Sequence, residues 1–411
     1  MGVGETKYQL QEIETLPGLV LDNQKYDVVF TQDDDTTKEY SLKLELENRP
    51  TDLQFYKTDV AGNEVAGAKL QIIDLDGQVI DQWISTNEPH TIQGLTAGQT
   101  YILHEELSPL GYNLSRDIEF TVKNTTDSQN ITMVDTVTKV IKVDEDGNLL
   151  EGAKLQIIDQ STGEIVDSWT SRQHLFDMTP ELQQKLQNQE TVSGQLSDEA
   201  LTSYTIYPDE DNFILKLETK ETTSYHYIDI NGNETYHLAW NLETDKTYLC
   251  KEIAAPLGYA TAQSQEFKVT DQDVVLTIEN QITKVEISKI DLTNQQELPG
   301  ASLLVKDSQG NIVDEWVSTT SPHLIKGLHV GQEYTLVETA APKGYALAEM
   351  VKFTIEDTGE IQKVVMFDNL LAVKTGDQSD LRMLLVLMAG SGLMIMIGGL
   401  YMYRRRQKKI S

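Results

Sequence analysis

Three lysines, each ending a short apolar strand, are the residues of this 411-residue chain best placed to do chemistry. They are Lys57 in Leu53-Gln54-Phe55-Tyr56-Lys57, Lys142 in Val140-Ile141-Lys142, and Lys289 in Val285-Glu286-Ile287-Ser288-Lys289. Alternate strand residues share a face, so Lys57 sides with Leu53 and Phe55, and Lys289 with Val285 and Ile287. A charged amine among inward apolar side chains is costly. Burial favours the neutral amine, which is a nucleophile. Glu105, Glu252 and Glu338 each end a Tyr-x-apolar-x-Glu passage and face the same way as its tyrosine. A buried carboxylic acid tends to stay protonated, so it can polarise a carbonyl and carry a proton. A third group closes each final strand. Asn280 is in phase with Leu276 and Ile278, and Asn369 with Val365 and Phe367. Aligning Thr138-Lys139-Val140 on Thr283-Lys284-Val285 sets Asp135 opposite Asn280. Amine, acid and carboxamide or carboxyl recur in that order.

The elements that must position these groups repeat with them. Trp83, Pro89-His90, Gly94-Leu95, Tyr101, Glu105, Pro109 and Gly111-Tyr112 return as Trp316, Pro322-His323, Gly327-Leu328, Tyr334, Glu338, Pro342 and Gly344-Tyr345. A third copy ends His237-Leu238, Tyr248, Glu252, Pro256 and Gly258-Tyr259. Such self-similarity marks an array of like domains. His follows Trp by 7 residues in copies one and three but by 68 in copy two. Copy two is therefore the same unit with 61 extra residues between Ser171 and about Tyr236. With that surplus removed, Lys precedes Glu by 48 or 49 residues in every copy, and Lys precedes its Asn by 77 in copy two and 80 in copy three. The head of the chain repeats only the later part of the unit: Tyr8, Leu10, Glu12, Pro17-Gly18 and Glu47-Asn48, with no lysine strand before them. It reads as a remnant, with Met1 not the true beginning and no signal peptide visible. Asn48 is expected to stay unreacted.

Period-two alternation between Gly, Pro, Asn and Asp turns predicts an all-β protein of tandem immunoglobulin-like sandwiches. The expected divisions are a remnant over 1–50, domains over 51–137, 138–281 and 282–371, and an α+β insertion at about 172–236. A linker follows over 372–380, a transmembrane helix over 381–403 and a basic tail over 404–411. Within that helix, the uncharged run Met383 to Tyr403 is long enough to span a bilayer, and Arg404, Arg405, Arg406, Lys408 and Lys409 put its end in the cytoplasm. The rest would lie outside the cell. Thr375-Gly376, a polar spacer, the span and the basic tail resemble a Gram-positive cell-wall sorting signal. That resemblance implies a sortase as transient partner and peptidoglycan or a pilin as the attachment. Ala372 and Val373 stand where the usual signal has Leu and Pro, so permanent membrane anchoring is the alternative.

Lys-x-Asp, Gly-Ala, Tyr-x-Leu-x-Glu and Pro-x-Gly-Tyr, in this order, resemble the SpaA-type (Cna protein B-type, prealbumin-like) domains of Gram-positive pilins and adhesins. The resemblance covers about residues 51–371 without the insertion. It implies sandwiches that each close an intramolecular Lys–Asn isopeptide bond, assisted by the buried glutamate. The pairs would be Lys142–Asn280 and Lys289–Asn369 with ammonia leaving, and Lys57–Asp135 with water leaving. Unreacted hydrogen-bonded or salt-bridged clusters are the alternative. The implied role is a structural or adhesive surface stalk; a minor or basal pilin is a variant, and a surface enzyme working from the insertion a weaker reading.

A net charge of −32 argues against nucleic acid as a partner. The single cysteine, Cys250, excludes an intrachain disulfide framework and reads as a small buried side chain. Within the insertion, Thr179 and Pro180 start a short helix, a second helix is expected at Ser197, and Asn231-Gly232 turns a hairpin. Its tyrosines suit a ligand-binding surface or subdomain packing. No cofactor or metal is expected, since His237 is a repeat position and only His174 and His226 remain nearby.

Overall fold

The computed structural model describes residues 5–31, 43–175, 177–195, 201–209, 212–220 and 223–371. The sorting-signal residues Thr375 and Gly376, the expected span and the basic tail lie outside them. No helix among the described residues is long and apolar enough to cross a membrane.

Copies one and three are built alike, as two sheets facing across a core. In copy one, Asp52–Thr58 lies between His90–Gln93 (antiparallel) and Gln129–Val134 (parallel). The facing sheet runs Val79–Ile84, Lys69–Asp74, Thr100–Leu107, Ile118–Thr121. Copy three repeats this with Lys284–Asp291 between His323–Lys326 and Ile361–Asp368, facing four strands ordered around Ser302–Lys306 and Glu333–Ala340. Each alternating strand delivers its apolar face to the gap. Leu53, Phe55, Leu70, Ile72 and Leu103 fill it in copy one, and Val285, Ile287, Leu303, Val305 and Leu336 in copy three. Burial of each such side chain contributes about 1.5–3 kcal/mol.

Copy two has the same frame around Thr138–Val143, and its insertion extends one sheet. Glu234–Ala239 occupies the place of His90–Gln93, and four further strands join outside it, giving a seven-stranded sheet. Thr223–Ile228 and Glu234–Ala239 form the expected hairpin. Helix Pro180–Gln187 starts where expected, with the Thr179 hydroxyl accepting from Leu182 N at 3.3 Å. The start of the expected second helix, Ser197, lies outside the described residues; from Leu201 the chain is a strand, Leu201–Asp209. Its partner Asn212–Thr219 alternates Phe213, Leu215, Leu217 onto the insertion's own core with Leu186 and Ile206, which holds Leu201–Asp209 in the sheet.

The head is one antiparallel pair, Glu5–Gln11 with Lys25–Thr31. Tyr8 is 58 % exposed, whereas its repeat counterpart Tyr334 is 3 % exposed under the lysine sheet.

Candidate lysine–acid–acceptor sites

Strand pairing brings the expected residues together at one height in each sandwich. Lys57 pairs across the parallel ladder with Met133, Lys142 with Ile278, and Lys289 with Met366. Two residues beyond those partners stand Asp135, Asn280 and Asp368, all fully buried. The lysines are 2 %, 6 % and 1 % exposed.

In copy one, Lys57 Nζ bonds to Asp135 Oδ1 and lies 2.9 Å from Glu105 Oε1. Ser115, which sequence reasoning missed, ties the group together. Its hydroxyl donates to Asp135 Oδ1 at 2.7 Å and its backbone N–H to Glu105 Oε2 at 2.6 Å. Burial pushes the Asp135 carboxyl up to about 7 against the pull of Lys57.

Copy three corrects the expected pair. Lys289 Nζ bonds to Asp368 Oδ1 and lies 3.1 Å from Glu338 Oε1, while Asn369 is exposed. The run Val364-Val365-Met366-Phe367 is apolar on both faces, so alternation alone does not fix its phase, and a shift of one residue swaps inside for outside. The structure turns Met366 and Asp368 inward and leaves Phe367 at the surface. Burial raises the Asp368 carboxyl above its ordinary value.

Copy two differs in chemistry. Lys142 Nζ donates to the Ile278 carbonyl at 2.9 Å and sits 3.9 Å from Glu252 Oε1. Burial lowers this amine to about 8. Asn280 Nδ2 donates to Glu252 Oε2 at 2.8 Å and to the Ala260 carbonyl at 2.7 Å. The glutamate thus meets the carboxamide nitrogen, not the oxygen that the sequence reading gave it. The Ala260 carbonyl requires a donor there, which sets the amide's orientation.

One local device holds every acid. Glu105, Glu252 and Glu338 Oε2 each accept from a backbone N–H ten residues on, at 2.6 Å. Glu12 does the same with Asp22 N at 2.7 Å and also receives Asn48 Nδ2. The head therefore carries an acid and a carboxamide held in the same way.

A second repeated constellation was legible but overlooked. An Asp stands two residues before each repeat tryptophan, as Asp81, Asp167 and Asp314. Each carboxylate accepts from the repeat histidine's Nε2 at 2.7–2.9 Å, and the imidazole stacks on the indole. In copy two the insertion buries this trio. Burial holds the His237 imidazole below its usual value despite Asp167. Burial also pushes Glu234 upward, but His226 and the Arg172 N–H hold that carboxyl below the usual range. Cys250 is buried in the core, and burial raises its thiol to about 12.

Residues 51–137 and 283–369 match the family model for the SpaA prealbumin-like fold domain. These two stretches are prealbumin-like domains of the SpaA family, and residues 138–281 build the same frame around an insertion. No curated protein matches the sequence. Among solved structures, the chain is similar to the Bacillus anthracis TIE protein, at 18 % identity and a TM-score of 0.28, covering 85 % of this chain and 55 % of that one. BcpA, the major pilin subunit of Bacillus cereus, is 16 % identical with a TM-score of 0.24, over 78 % of this chain and 99 % of that one. The shaft pilin SpaA from Lactobacillus rhamnosus GG is 14 % identical with a TM-score of 0.24, over 56 % and 96 %. The chain thus spans only about half the length of the first of these relatives.

Proposed function

We propose that this chain is a cell-surface stalk of a Gram-positive bacterium whose three sandwiches each close one intramolecular isopeptide bond. The observation that carries the reading is the recurrence, in all three domains, of a buried lysine beside a buried acid, with an acceptor two residues past its ladder partner.

In copies one and three the neutral Lys57 or Lys289 amine attacks the protonated carboxyl carbon of Asp135 or Asp368. A C–N bond forms, the C–O bond breaks, and Glu105 or Glu338 relays the amine proton to the departing hydroxyl, releasing water. In copy two the Lys142 amine attacks Asn280. Glu252, already against the carboxamide nitrogen, passes the proton to it, and ammonia leaves. The raised Asp135 and lowered Lys142 favour the reactive neutral forms. The chemistry is self-modification without turnover.

Each bond would tie a domain's first strand to its last, so tension along the chain would pass through a covalent link. Anchoring follows from Thr375-Gly376, the apolar run and the basic tail, with a sortase as transient partner and wall or pilin as the attachment. Peptide mapping after proteolysis tests the crosslinks. Branched peptides joining Lys57 to Asp135, Lys142 to Asn280 and Lys289 to Asp368 are expected, and six unjoined peptides would overturn the reading. Incubation with a sortase and an amine acceptor tests the anchor. Release after Thr375, lost in Thr375→Ala, is expected; an uncleaved chain would favour a permanent membrane anchor.

A further inference from the structure

The insertion adds more than length to copy two. It sets His226 directly across the hairpin from the repeat histidine His237, with Glu234 on the same strand three residues before it. All three are buried, and one ligand atom from each lies within 4.8 Å of the others. His226 and Glu234 belong to the inserted hairpin and have no counterpart in copies one and three. There the histidines, His90 and His323, keep 32 % of their side chains exposed, against 1 % for His237.

The outer atoms of the trio are already held. His237 Nε2 bonds to Asp167 at 2.7 Å, His226 Nε2 to Ser224 Oγ at 2.9 Å, and Glu234 Oε2 accepts from Arg172 N at 3.0 Å. This is how metal-ligating imidazoles and carboxylates are usually oriented, through the atom that does not bind the ion. The inner atoms are His226 Nδ1 and Glu234 Oε1, 2.7 Å apart, and His237 Nδ1, which is buried without a hydrogen-bond partner. A small cavity of about 10 Å³ borders Glu234 and His237.

We propose that His226, Glu234 and His237 form a divalent-metal site for zinc or a metal of similar preference, which pins the inserted sheet to the second sandwich. Two imidazole nitrogens and one carboxylate suit zinc rather than calcium or magnesium, which favour all-oxygen shells. Metal–ligand lengths of about 2 Å set tetrahedral ligand atoms about 3.3 Å apart, so His226 Nδ1 and Glu234 Oε1 must part slightly from 2.7 Å to admit the ion between them and His237. The ion would replace the proton shared by His226 and Glu234 and would satisfy His237 Nδ1. Sequence reading set His237 aside as a repeat position and did not consider Glu234, because the register of the hairpin is what joins them.

Zinc titration of the full chain, followed by removal of free metal and elemental analysis, tests the site, with cobalt absorption as an independent readout. One tightly held zinc per chain is expected, and cobalt should give the strong visible bands of a low-coordinate nitrogen–oxygen site. His226→Gln and Glu234→Gln should each weaken binding about ten-fold or more. His323→Gln, at the repeat counterpart, should leave it unchanged. No zinc retained by the folded wild-type chain, with no cobalt bands, would overturn the proposal whatever the variants do. So would binding that survives both insertion substitutions, since this would place the metal elsewhere.

Discussion

At the residue scale, the acceptors decide the chemistry. Two buried aspartates and one asparagine make the three domains chemically unequal although their backbones repeat. Replacing Lys57 with Met removes the amine that pulls Asp135 down, so its carboxyl should titrate at or above about 7 in the folded domain. A folded pKa raised above the unfolded value near 4 contributes stability that is complete below about pH 4 and disappears as pH rises through the folded value. The stability of copy one in Lys57→Met should therefore fall by about 4 kcal/mol between about pH 4 and pH 7, seen as a falling melting temperature. A flat profile would mean that Asp135 ionises normally in its pocket. Asn48 offers the opposite case. Its carboxamide nitrogen donates to Glu12 and to the Thr15 hydroxyl, and peptide mapping should recover it as an unmodified asparagine. A branched peptide at Asn48 would show that another lysine reaches it. The lysines, the glutamates, Asp135 and Asn280 could be read from spacing alone. Asp368 could not, because it neighbours Asn369 in a strand that is apolar on both faces.

At the scale of elements, the first and last strands of each domain lie side by side and parallel, so a bond between them closes almost the whole domain into a loop. Glu338→Gln keeps the side chain's shape and its acceptor for Ala348 N but removes the acid. Copy three should then remain uncrosslinked and lose about 4 kcal/mol, judged from the loop entropy of a comparable disulfide. Unchanged thermal unfolding would indicate that the acid or the bond is not needed. The insertion stands on its own core. Leu215→Ala should cost about 2–5 kcal/mol locally. Hydrogen exchange should then rise across residues 177–230 while copies one and three keep their protection; a global loss would contradict separate cores. The hairpin and the first helix were legible from Asn231-Gly232 and from Thr179-Pro180. The strand at Leu201 was not, since it is held by pairing with Asn212–Thr219 rather than by its own pattern.

Across the whole molecule, the Pro-x-Gly-Tyr loops acquire a use that sequence alone left unassigned: they join neighbouring domains. Gly258 O accepts from Thr283 N at 2.9 Å, and in the head's corresponding Pro17-Gly18 turn Gly18 O accepts from Thr51 N at 3.0 Å. A Cβ at Gly111 would come within 3.3 Å of Ile214 and 3.4 Å of Leu238 in copy two. Gly258 has a φ of +85°, and a Cβ there would meet Gly327 O at 2.8 Å. Gly258→Ala should loosen the junction of copies two and three, seen as faster proteolysis near residue 282 with both domains still crosslinked. Unaltered cleavage would mean that the junction is held elsewhere. Sandwiches docked through these loops, each closed by the proposed bond, would suit a stalk under tension. The intact mass of residues 51–371 tests the three proposed bonds most directly, beside a variant with Glu105, Glu252 and Glu338 all changed to Gln. The wild type should be lighter than its sequence by one ammonia and two waters, and the variant should have its plain mass. Loss of two ammonias and one water would return the third acceptor to Asn369, and a wild type of plain mass would contradict the crosslinks altogether.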